Sequence, residues 1–169
     1  MKPSTIAGSL ALGILLRLFV SSAVGATVAV QADKVVVMKN EKRLVLLRNG
    51  EVLKSYRISV GRNPGQKVRQ GDNRTPEGTY VIDWRNPESR FHKALHISYP
   101  NWCDRENARR SGAPPGGEVM IHGLPRDFED LGESHAVRNW TKGCIALSNA
   151  EMDEIWLLVS DGTPVEIVP

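Results

Sequence analysis

From Lys34 onward the chain alternates short apolar runs with polar breaks, a spacing that predicts strands. Lys34-Val35-Val36-Val37-Met38 is rich in β-branched residues, Asn40-Glu41-Lys42 reads as a turn, and Leu44 to Leu47 as a second strand. Asn49-Gly50 then suits a two-residue hairpin, because both positions tolerate positive φ. Glu51 to Val60 is the predicted return strand, with Tyr56, Ile58 and Val60 alternating against a wet face of Arg57 and Ser59. Gly61 to Gly71 reads as a loop, Thr75-Pro76-Glu77-Gly78 as a turn, Thr79 to Ile82 as a strand and Asn86 to Ser89 as a loop. Ala94 to Ser98 predicts a short strand, and Asp104 to Arg110 one or two helical turns capped by Asp104. After the Pro/Gly break at Ala113 to Gly117, Val119 to His122 is a strand with His122 at its end. Ser148 and Glu151 have the spacing of a capping box. The helix that follows carries Met152, Ile155, Trp156 and Val159 on one face, a core-packing stripe. Asp161-Gly162 ends it, and Pro164 to Val168 is a closing strand. The pattern predicts a mainly β domain, a β-sandwich or partly closed barrel with one or two short helices.

The first residues follow another rule. Lys2, an apolar run from Ile6 to Val20 and small residues through Ala26 have the order of a secretory signal. Cleavage after Ala26 or after Ala32 fits, and Arg17 is the one break in the apolar middle. The alternative is a retained anchor, but the run is shorter than the ~20 apolar residues of a spanning helix. We expect residues 1–26 to be a leader, residues 34–168 to be the domain, and the protein to be exported with no membrane span once the leader is gone.

Composition narrows the function. Hydrophobic residues at 41% and charged residues at 24% specify a folded core. Of the net charge of +3, two positive charges (Lys2 and Arg17) lie in the expected leader, which leaves +1. That balance makes no case for nucleic acid.

The candidate chemistry sits in two places. Cys144 follows Thr141-Lys142-Gly143 and leads the apolar run Ile145-Ala146-Leu147, 22 positions after His122. A thiol becomes a competent nucleophile when a base can take its proton, and His122 is the best-placed imidazole. A carbonyl near Gly123 could orient the ring, and backbone N–H groups of Lys142, Gly143 and Cys144 could receive an oxyanion. Thr141 would brace that turn. His135 lies in a polar stretch and reads as solvated; His96 either lines a cleft or packs in the fold. No His/Cys spacing matches a structural zinc site. The alternative for the cysteines is a Cys103–Cys144 disulfide, which would remove the nucleophile.

With these residues in view, the chain resembles the L,D-transpeptidase catalytic-domain (YkuD-like) family, in its small exported subgroup. His122-Gly123 and Thr141-Lys142-Gly143-Cys144 match that family's active-site pattern, and Thr75-Pro76-Glu77-Gly78-Thr79-Tyr80 matches a second hallmark. The resemblance covers roughly Lys34 to Val168. It implies a periplasmic or envelope enzyme acting on peptidoglycan stem peptides through a Cys144 thioester, with Cys144 and His122 catalytic. Gly123, Thr141, Lys142 and Gly143 would be supporting, Tyr80 and His96 would contact substrate, and no cofactor is implied. The chain departs from many members in having Lys142 where they carry His, and Ala146 where they carry Arg.

Three rivals remain at this point. One is a hydrolase with the same residues, an L,D-carboxypeptidase or an amidase at diaminopimelate. Another is a non-catalytic wall-binding module with the disulfide. The third, a protease acting on proteins, lacks any recognised motif around Cys144. Basic residues of the 62–74 loop (Arg62, Lys67, Arg69 and Arg74) are candidates for contacting stem-peptide carboxylates.

Overall fold

The structure is a computed structural model that describes residues 30–169. The expected leader lies outside the described residues. Eight strands order as β3-β2-β1-β8-β4-β5-β6-β7. They are β1 (Lys34–Met38), β2 (Arg43–Arg48), β3 (Glu51–Arg57), β4 (Gly78–Ser89), β5 (His92–Ile97), β6 (Met120–His122), β7 (Ile145–Ala146) and β8 (Pro164–Val168). Two α-helices, α1 (Trp102–Arg110) and α2 (Asn149–Leu158), and a 3₁₀ segment over Arg126–Val137 complete the domain.

The two apolar runs form β1 and β2 as the sequence predicts; β1 alternates buried and half-buried positions, whereas β2 buries Leu44, Val45 and Leu46 in succession. Val35 and Val37 of β1 and Leu44 and Leu46 of β2 are fully buried. Asn49 and Gly50 take φ of 52° and 82°, the conformation that a tight β2–β3 hairpin requires. The closing strand β8 inserts between β1, to which it runs parallel, and β4, to which it runs antiparallel. The twelve-residue β4 belongs to both halves: its start pairs with β8 and its end with β5. One apolar core takes residues from both halves, among them Leu46, Ile82, Ile97, Ile121 and Ile155. The result is a mainly β, sandwich-like fold whose sheet is not closed.

Four local expectations differ from the structure. The return strand stops at Arg57, not Val60. The chain then crosses to β7, where Ser59 and Ala146 exchange backbone hydrogen bonds of 3.0 and 2.8 Å. Ser59 is therefore fully buried rather than wet, and its hydroxyl donates to the Arg138 carbonyl and accepts from the Trp140 N–H. Asn86 to Ser89 continues β4 instead of leaving it; the pairing shifts register between Asn86 and Ser89, an irregularity that accommodates Pro87. The cap of α1 is Asn101, with Asp104 as the reciprocal partner three residues on. The Ser148–Glu151 capping box of α2 is as expected.

One buried cation holds the 62–77 region to the sheet. Lys39 is enclosed, and its ammonium donates to the Gly65 and Thr75 carbonyls at 2.7 and 2.9 Å and to Glu77 at 2.7 Å. Removing one member of such a buried set leaves its partners unsatisfied. Lys39→Met is expected to cost about 3 kcal/mol, measured as a lower urea midpoint with an unchanged slope.

Candidate active site

Sheet topology brings the thiol and the imidazole to one side. β6 and β7 run parallel, with Ile121 opposite Ile145 and His122 opposite Ala146. Continued one residue back, this register sets Cys144 level with Met120. Met120 and His122 share a face because strand side chains alternate. Cys144, Met120 and His122 accordingly line one cavity of about 530 Å³.

His122 is held in one tautomer. Its Nδ1 lies 2.7 Å from the Gly123 carbonyl, an acceptor, so Nδ1 carries the proton and Nε2 keeps its lone pair. Gly123 permits this turn because a Cβ there would stand 2.6 Å from the Asn149 Oδ1, which accepts the Leu124 N–H. Phe91 and Trp140 flank the imidazole, with ring centroids 4.5 and 6.0 Å away. Burial pushes the His122 pKa down to about 4, although the Gly123 carbonyl favours the charged form. The ring is neutral at pH 7.

Cys144 sits on a braced turn. Thr141 Oγ1 accepts the Gly143 N–H at 3.1 Å and donates to the Cys144 carbonyl at 2.7 Å. Gly143 has φ 137°, and a Cβ there would lie 2.8 Å from the Arg74 carbonyl. Any other residue would thus push the turn off the loop before the Thr75-Pro76 motif. Thr75 is buried, and its hydroxyl accepts the Gly61 N–H, fixing that loop in place. The Cys144 thiol donates to the Glu118 carbonyl at 3.6 Å. Glu118 reaches this position at φ 56°, an uncommon conformation for a residue with a side chain. Burial pushes the Cys144 thiol pKa up, opposed by the Met120 N–H and the charge of Lys67. Thr141→Val is expected to lower the rate of Cys144 acylation about 10- to 100-fold, read by intact-protein mass spectrometry, because the turn loses both braces.

The expected residues separate into groups. Cys144, His122, Thr141 and Lys142 line the cavity, and Gly123 and Gly143 shape its walls. The Gly143 N–H is occupied by Thr141 and is no oxyanion donor in this state. Tyr80 and His96 do not line the cavity. Tyr80 is buried, with its hydroxyl against Asp104 at 3.0 Å, tying β4 to α1. His96 pairs with Asp83 at 2.6 Å and stacks on Trp84. His135 is buried, not solvated, and neither ring nitrogen has a partner among the described residues. Of the loop cations only Arg62 lines the cavity; Lys67 is enclosed and paired with Asp72 at 2.8 Å. Phe91, Arg90 and Trp140 were not singled out in the sequence, since their strand-end and loop positions follow no period. Both cysteines are free thiols, Cys103 exposed on α1 and Cys144 in the cleft, so the disulfide alternative does not describe this structure. Among the described residues no cluster of His, Cys, Asp or Glu has the geometry of a metal site, and no helix is long and apolar enough to cross a membrane.

Known proteins share this fold. An L,D-transpeptidase from Xylanimonas cellulosilytica superposes with a TM-score of 0.56 at 17% identity, over 83% of this chain and 62% of that one. The helical cell shape determining protein Pgp2 from Campylobacter jejuni does so with a TM-score of 0.61 at 27% identity, over 82% of this chain and 48% of Pgp2. Residues 32–167 match the profile of the family described as the L,D-transpeptidase catalytic domain, and the chain belongs to that family. YafK of Escherichia coli strain K12 is 35% identical over 132 residues, 73% of this chain and 46% of YafK. The chain thus spans about half the length of that curated relative.

Proposed function

We propose that this protein is an exported cell-envelope enzyme that remodels peptidoglycan stem peptides through a Cys144 thioester, with L,D-transpeptidation as its reaction. The observation that carries the reading is the orientation of His122: Nδ1–H is bound to the Gly123 carbonyl, and the basic Nε2 is left for the thiol that shares its cavity. With the imidazole neutral and the thiol pKa raised, the resting pair is uncharged. Attack and proton transfer therefore go together. The sulfur adds to the amide carbonyl after the third stem residue while Nε2 accepts the thiol proton. The imidazolium then returns that proton to the departing D-alanine nitrogen as the C–N bond breaks, leaving the thioester. An amine of a second stem peptide attacks, giving up its proton to His122, and expels the thiolate, which is reprotonated.

The test uses a disaccharide-tetrapeptide and intact-protein mass spectrometry. D-Alanine release with an acyl adduct on Cys144 is the expected result; turnover without an adduct, retained in Cys144→Ala, refutes the scheme. Cross-linked dimers identify transfer. Free tripeptide without dimer replaces it with the hydrolase, in which water attacks the same thioester.

A further inference from the structure

The cleft wall is strongly unequal in charge. Three cations line it, Arg62, Arg90 and Lys142, against a single carboxylate, Glu118. They come from three separate segments: Arg62 from the loop after β3, Arg90 from the β4–β5 turn, Lys142 from the turn that carries Cys144. The ion pairs among the described residues all lie elsewhere, so none of the three cations has a carboxylate partner among those residues.

Two of the three are also held in place. The Arg62 backbone N–H donates to the Thr141 carbonyl at 3.1 Å, and its Nε donates to the Trp140 carbonyl at 3.0 Å. Arg62 is thereby tied twice to the segment that presents the nucleophile. With Nε occupied, its two terminal nitrogens remain as the fork that matches a carboxylate. The Arg90 guanidinium lies 4.9 Å over the Phe91 ring, on the same aromatic that flanks His122. A solvated lysine or arginine needs no such anchoring; a cation restrained before its ligand arrives loses less entropy on binding.

We propose that Arg62, Arg90 and Lys142 form a carboxylate-binding rim that seats an acidic peptide in the cleft, with Arg62 as its fixed, forked member. This rests on the stem-peptide reading of the site and adds the charge that the ligand must carry. Neutral peptides of the same length are poor ligands.

The experiment is calorimetric titration of Cys144→Ala protein, which cannot turn over, with disaccharide-tetrapeptide in its free-carboxylate form and with its carboxylates amidated. Amidation is expected to weaken binding at least tenfold, the scale of one charge-assisted hydrogen bond. Adding Arg62→Gln should weaken the free form about tenfold and leave the amidated form nearly unchanged, with smaller losses for Arg90→Gln and Lys142→Gln. All three side chains are exposed, and thermal melts of the variants check that the fold is intact. Equal binding of the two forms, losses that simply add, or no binding of either form overturns the rim. Stem-peptide turnover by the intact enzyme without this coupling sinks the rim alone. Coupled binding with no thioester in the wild-type protein sinks the transpeptidase reading alone.

Discussion

Cys144→Ala is expected to lower turnover of a stem tetrapeptide by about 10⁴-fold or more, the scale seen when a covalent nucleophile is removed. The effect should be chemical, not structural. The Cys144 side chain opens onto a cavity, and the turn that carries it is braced by Thr141 and Gly143 through atoms that the substitution leaves in place. The melting temperature should therefore stay within a few degrees while the acyl adduct disappears. A companion result concerns pH. Because the Cys144–His122 pair is uncharged at rest, activity should persist well below pH 6.5 and fall only as the medium approaches pH 4, where His122 takes a proton and ceases to be a base. A kcat/KM profile whose acid limb lies at 6.5 would show an ordinary, solvated imidazole instead.

The second large effect is acid destabilisation above the carboxylate range. His122 and His135 are both buried, and burial holds both pKa values at about 4 in the folded protein. An unfolded histidine titrates near 6.5. Between these values the unfolded chain binds protons that the native protein does not, so stability falls as pH drops from about 6.5 to about 4. Each ring contributes at most about 3 kcal/mol across that window, a large share of a typical domain's stability. Urea midpoints at pH 7.0, 5.5 and 4.5 measure the slope. Asp72 does not confound it. Burial works against the Asp72 charge, but Lys67 and the N–H groups of Val68, Arg69 and Arg74 outweigh it, holding its carboxyl at about 2. The stability that Asp72 supplies is thus lost only below about pH 4. His135→Leu should flatten the curve by roughly half. It should also be neutral or stabilising at pH 7 by about 1 kcal/mol, because it removes a ring whose polar atoms have no partner among the described residues. An unchanged slope in that variant would show that His135 is accessible to protons in the native state.

These two histidines also show what could be read from the sequence and what could not. His122 was legible because it ends an apolar run and precedes a glycine, and strand periodicity fixes its face. His135 stands among Gly132, Glu133 and Ser134, and nothing in so polar a neighbourhood announces burial; the 3₁₀ segment encloses it by tertiary packing alone. The same division holds for the strands. β1, β2 and the Asn49-Gly50 hairpin follow local rules and were predicted nearly residue for residue. The end of β3 was not, because Ile58 to Gly61 obeys a partner almost 90 residues ahead in the chain. The loop cations failed in another way. Composition marks Lys67 and Arg62 alike, yet one is enclosed against Asp72 and the other faces the cleft. Only the three-dimensional path of the loop distinguishes them.

The position of β8 has a consequence for how the chain acquires its shape. Both neighbours of this strand precede it by long stretches of chain, β1 by about three quarters of its length and β4 by about half, and β8 is the seam between the hairpins on one side and the cleft-bearing strands on the other. Until residues 164–168 are available, β1 and β4 present open edges with nothing to join them. Contacts so distant along the chain slow folding. A nascent polypeptide would thus stay loose through most of its synthesis, and the cavity that Cys144 and His122 share would be assembled late.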